Sequence, residues 1–142
     1  MSAIVSRRMF KYTTPMQDRR KQPRKNLMSY SQVFDLYAGR LIGYLGDLNL
    51  LGAMVIGDEP MSLDTKLTAS IQLPELPNVS ATRMAVPVRV AWCQQDLSPE
   101  YFNIGFEFEL VTDDQKRIIQ AVMENYEFRR ESPNYPQRPE VS

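Results

Sequence analysis

Arg20 and Arg24 stand four residues apart in the stretch DRRKQPRKN, residues 18–26, with Arg19 beside the first of them. Each guanidinium presents its N–H donors as a rigid planar fork, so two forks at this spacing can straddle one acceptor-bearing group. Pro23 discourages a helix here, and the segment is expected to be extended or turning. A second set follows in DLNLLGA, residues 47–53. Asp47 and Asn49, two residues apart, share one face of a strand, and Gly52 lets a ligand or another backbone come close. Each set also has a plainer reading. The arginines suit a solvated basic arm or weak polyanion binding, Asx residues beside glycine commonly hydrogen-bond their own backbone, and Gly52 serves equally well as a bulge.

The charge is unevenly placed. Residues 1–25 hold eight Lys or Arg and one acid, net +7, whereas residues 26–142 hold nine and sixteen, net −7. A basic arm ahead of an acidic body points to an anionic partner for the arm, or to the arm lying on its own body.

Cys93 is the single cysteine and there is no histidine. An intrachain disulfide is impossible, a Cys-based zinc site cannot be built, and the usual general base is missing. The composition argues against an enzyme, and neither a cofactor nor a metal is expected. With no signal-like segment at its start and no apolar run long enough to span a bilayer, the chain is read as cytoplasmic, without membrane insertion.

The elements that must position these residues show as alternation of period two. In FNIGFEFEL, Phe102, Ile104, Phe106, Phe108 and Leu110 share one face, with Asn103, Glu107 and Glu109 opposite as an ordinary solvated face. Leu67, Ala69, Ile71 and Leu73 repeat the pattern, as do Met84, Val86, Val88, Val90 and Trp92. Trp92 shares the parity of the buried valines, which favours core packing; its place near the strand end also suits a stacking wall for a ligand. Pro87 suggests an edge or a bulge. Upstream, two or three strands are broken near Gly39 and at Gly46–Gly52.

The spacing predicts a mainly β fold, a small antiparallel barrel of about six strands, closed by a C-terminal helix over about 113–128. Its start is marked by TDDQ, a capping box on Thr112 and Gln115 with Asp113 and Asp114 at the positive end of the helix dipole. Ile118, Ile119, Val122 and Tyr126 form its apolar face. The domain is expected over residues 19–130, after a flexible basic arm (1–18) and before a disordered proline-rich tail (131–142).

Together, R-x-x-x-R at Arg20 and Arg24, D-x-N-x-x-G at Asp47, Asn49 and Gly52, and the late strand FNIGFEF before a helix resemble the PilZ domain, a bacterial receptor module for cyclic di-GMP, over roughly residues 18–128. One position departs from the family: Asn49 stands where Ser is usual. The resemblance implies a split, Greek-key type of barrel and second-messenger signalling. Its implied ligand contacts are Arg19, Arg20, Arg24, Asp47, Asn49, Gly52 and Trp92.

The chemistry agrees with that ligand. An Arg fork meets guanine O6 and N7 together, the opposite edge carries N1–H and N2–H donors that suit the Asp47 carboxylate, and the two phosphates favour further Arg contacts. Arg19, one residue before the motif, leans toward a stacked pair of cyclic di-GMP molecules. The implied partner is an unidentified downstream protein. Two other readings compete: a PilZ-like protein-interaction module without nucleotide, which Asn49 favours, and a small RNA-binding barrel. Outward acids in place of exposed aromatics argue against RNA, and neither DNA nor RNA is expected to bind.

Overall fold

The computed structural model describes residues 25–28 and 30–128. The predicted arm, the three candidate arginines Arg19, Arg20 and Arg24, and the proline-rich tail lie outside the described residues.

Alternation in the sequence becomes a closed barrel. Its strands are β2 (Gln32–Asp35), β3 (Arg40–Leu48), β4 (Gly52–Gly57), β5 (Lys66–Gln72), β6 (Arg83–Gln95) and β7 (Phe102–Phe108), preceded by a two-residue strand β1 (Asn26–Leu27). Around the barrel the order is β2, β3, β4, β7, β6, β5 and back to β2, every pair antiparallel. Closure removes the exposed strand edges that a sheet this small would otherwise present. The β2–β3 turn reverses at Gly39, whose φ of +68° is the left-handed region glycine enters without penalty.

Inward positions build one core. Val33, Val55, Ala69, Ile71, Val86, Val88, Val90 and Ile104 are essentially buried, as the period of two requires. Pro87 sits inside β6 rather than on an edge strand, but β7 ends at Phe108 and only the Glu109 N–H reaches the Pro87 carbonyl on that side (2.9 Å). The absent N–H therefore costs the ladder only a terminal bond.

Helix α1 (Asp113–Asn125) starts at the predicted residue. Thr112 Oγ1 accepts from Gln115 N–H and Gln115 Oε1 accepts from Thr112 N–H, both at 3.1 Å. Gln115 Nε2 also donates to the Ala85 carbonyl (2.8 Å), fastening the cap to β6. Ile119 and Val122 are fully buried in the barrel's own core cluster. The helix stops at Asn125, short of the expected 128, because Tyr126 turns extended (φ −135°, ψ 149°) and joins Glu127 in a strand, β8 (Tyr126–Glu127), parallel to β1. Tyr126 packs on the core from that strand, its hydroxyl donating to the Glu75 carbonyl (2.7 Å).

Two inward assignments are corrected. Leu110 lies beyond the end of β7 and is 68% exposed. Trp92 is 42% exposed, because the β6–β7 register shifts between Val90 and Trp92. One extra residue there, Ala91, reverses the parity that the valines had established.

Candidate functional site

The same device acts at Asp47. The β3–β4 register shifts between Leu45 and Asp47, so Gly46 is the extra residue, and Leu45 and Leu48 are both buried although three apart. Bulges re-aim side chains, and here two of them act on one line. Asp47 pairs with Met54, Met54 with Gly105, and Gly105 with Trp92, so one cross-strand row crosses β3, β4, β7 and β6 with a bulge at each end. At the usual strand spacing, Asp47 and Trp92 stand roughly 14 Å apart along it.

A second outward row runs beside the first. Asn49 N–H donates to the Gly52 carbonyl (2.9 Å), Gly52 pairs with Glu107, Glu107 with Arg89, and Arg89 with Lys66. The first row, with Asn49, Gly52 and Glu107 of the second, lines a cleft of about 290 Å³; Arg89 and Lys66 continue the second row beyond that lining. Four of the seven residues singled out in the sequence thus meet in one concavity, and the other three, Arg19, Arg20 and Arg24, lie outside the described residues. Lys25, the residue after Arg24, lines an adjoining cavity together with Asp47, Glu127 and Phe128. Asp47 therefore stands between the cleft and the point where the arm joins the domain.

The D-x-N-x-x-G motif is first of all a hairpin device. Leu51 and Gly52 N–H both donate to Asn49 Oδ1, at 2.8 and 3.1 Å, which is the local Asx use of this residue. Its carbonyl oxygen is thus committed to the turn. Gly52 is required by another backbone: a Cβ there would fall 2.1 Å from the Phe106 carbonyl oxygen. Asp47 is half-buried and accepts from Leu48 N–H at 2.9 Å.

Trp92 lies across Gly105, where a Cβ would meet Cε2 and Nε1 of the indole at 2.1 Å. The glycine gives the indole room against the sheet, and Trp92 is among the residues lining the cleft, where an aromatic ring is a group that a base or another planar group can stack upon.

The outward carboxylates are not simply solvated. Arg89 grips Glu107 through Nε (3.2 Å) and Nη2, and reaches Asp64 with Nη1 (2.7 Å). Hydrogen bonding to Glu107 and then to Asp64 raises the Arg89 pKa above its ordinary value. Lys66 meets Glu109 at 3.7 Å, an exposed pair of small worth. Sequence reasoning missed Met54, Gly105, Glu107 and Arg89 as members of this surface. Gly105 lay within a strand already recognised, but which residue faces it across the sheet is not written along the chain.

The family model described as PilZ domain matches residues 18–125. The chain belongs to the PilZ domain family. No curated protein and no solved structure matches it. The PilZ match runs from the basic segment through the barrel to the end of α1, so both motifs fall within it. Membership makes the domain a module of the cyclic di-GMP-binding type, a class of binding and effector domains rather than enzymes. Among the described residues, no helix of this PilZ domain is long and apolar enough to cross a membrane.

Proposed function

We propose that this PilZ domain is a cytoplasmic receptor for cyclic di-GMP, without catalytic activity or any cofactor beyond that ligand. The observation that carries the reading is the row joining Asp47 to Trp92 in one cleft, beside a cavity that Asp47 shares with Lys25 at the foot of the arm. Asp47 accepts from guanine N1–H and N2–H, and Trp92 supplies a stacking face. Arg20 and Arg24 bring their forks to guanine O6 and N7 and to the phosphates, with Arg19 available for a second, stacked ligand molecule.

The nucleotide would bridge arm to barrel and order the segment between them. Asn26 and Leu27 are already paired with β8, so the ordering is confined to residues before them. A partner protein reads the new surface as a shift in population; neither nucleic acid nor membrane is part of this role.

Calorimetric titration with cyclic di-GMP, with GTP and cyclic di-AMP as controls, tests the reading. Micromolar or tighter binding is expected, abolished or severely weakened in Arg20→Ala and in Arg24→Ala, and its stoichiometry decides between one ligand and a stacked pair. Asp47→Ala should cost roughly 1 to 3 kcal/mol by leaving guanine donors unpaired. Absence of heat from wild type at high protein concentration sinks the proposal.

One observation favours a second reading, a protein-interaction module that does not bind the nucleotide. Asn49 stands where the family usually has Ser, and its carbonyl is taken up by two turn amides. Binding gained from nothing in Asn49→Ser would support that alternative.

A further inference from the structure

We infer that Arg89 sets the charge of the cleft, holding the Glu107 carboxylate so that a dianionic ligand is accepted there. The inference rests on the receptor reading above. Glu107 lines the cleft with Asp47 and is the cross-strand neighbour of Gly52 in the D-x-N-x-x-G motif. Asp47 has a part in that reading, as acceptor for guanine. Glu107 has none, and a bare carboxylate on the floor would repel two phosphates.

Arg89 meets this from the next strand. Its Nε and Nη2 both engage Glu107 Oε1, while Nη1 engages Asp64. Asp64 is itself fixed: its φ is +66° and its N–H donates to the Val90 carbonyl at 2.9 Å. The guanidinium is therefore clamped between two carboxylates, one on the cleft floor and one in the turn before β5. Lys66, next along the row, is turned to Glu109 and does not replace it. Arg89 is a positioning residue, acting through Glu107. An arginine so placed keeps its charge at any pH at which a protein stays folded, so Glu107 is permanently compensated, and the three groups together carry one negative charge instead of two.

Titration of the full chain with cyclic di-GMP, for wild type, Arg89→Gln, Glu107→Gln and the double variant, tests the role at low and high salt. Arg89→Gln should weaken binding on the order of tenfold at low salt, the effect of one uncompensated charge across a partly solvated cleft. The gap should narrow as salt screens that charge. Glu107→Gln should bind as tightly as wild type or tighter, and the double variant should recover wild-type affinity. Unchanged binding in Arg89→Gln, a double variant as weak as Arg89→Gln, or a gap indifferent to salt overturns the inference. Should Arg89→Gln melt below the titration temperature, Glu107→Gln alone decides, since weakened binding in it also overturns the role. Any of these failures alongside wild-type binding removes Arg89 from the site and leaves the receptor reading intact; absence of wild-type binding removes the receptor reading itself.

Discussion

The indole of Trp92 occupies the space that a side chain on Gly105 would fill, with Cε2 and Nε1 each 2.1 Å from where a Cβ would stand. The two residues are partners across β6 and β7, and the glycine is what gives a large aromatic ring room against the outside of the barrel. Without that seat, Trp92 would have to stand away from the sheet, and the cleft would lose one wall.

Gly105→Ala should therefore move the ring more than it harms the fold. Trp92 is 42% exposed, so it can swing outward, and the expected loss of stability is about 1 kcal/mol, the low end for an overpacked site. Trp92 is the chain's only tryptophan, so its fluorescence reports on this seat alone. A red-shifted emission is expected, with weakened cyclic di-GMP binding; an unchanged spectrum would show that the ring does not rest on Gly105.

Gly52→Ala meets a harder obstacle. The added Cβ would fall 2.1 Å from a backbone oxygen, Phe106 O, and a strand in a closed barrel has less room to yield than a half-exposed side chain. Urea denaturation should show a loss of about 3 kcal/mol, larger than for Gly105→Ala. If the two substitutions cost the same, the close approach of β4 and β7 is not what holds glycine at this position.

Asn49 separates turn from ligand. Asn49→Ala leaves the Leu51 and Gly52 amides without their side-chain acceptor, and thermal melts should report a loss of about 1 kcal/mol. Asn49→Ser retains an oxygen near the turn and should lose less, while binding cyclic di-GMP equally or modestly tighter. Equal stability in all three proteins would remove the turn from the account of this motif.

Hydrogen exchange can locate where the arm meets the domain. The Met28 amide donates to the Glu127 carbonyl at 2.7 Å and the Met28 side chain is buried, so this amide should be protected with or without ligand. Amides of residues 19–24 are expected to exchange rapidly in the free protein and to slow on adding cyclic di-GMP. Protection of both stretches before any ligand is added would end the idea of an arm that orders on binding.

The barrel was legible because its information is local. Alternation marked β5, β6 and β7, glycines marked the breaks around β3 and β4, and TDDQ marked the first turn of α1. Trp92 was misread for the same reason. Parity counts residues along one strand, and a bulge at Ala91 is decided by the register with β7, which a single strand does not encode. The end of α1 escaped in the same way: Tyr126 continues the helical spacing, but pairing with Asn26, a hundred residues earlier, draws it out of the helix. Asp47, Asn49 and Gly52 were identifiable as a set from their spacing. That Asp47 and Trp92 terminate one row, and that Glu107 and Arg89 lie on the next, follows only from how β3, β4, β7 and β6 pair and where their registers shift.

The parallel pairing of β1 with β8 has a mechanical side. Chain enters β1 at Asn26 and leaves β8 past Glu127, at opposite ends of two strands that run in the same direction. Tension drawn between those two segments pulls the strands past each other along their axes, loading the contact in shear rather than peeling it open. The load passes through the Met28–Glu127 hydrogen bond before it reaches any strand of the barrel. Under such a load the two-residue contact, and not a barrel strand, would be the first to carry the strain.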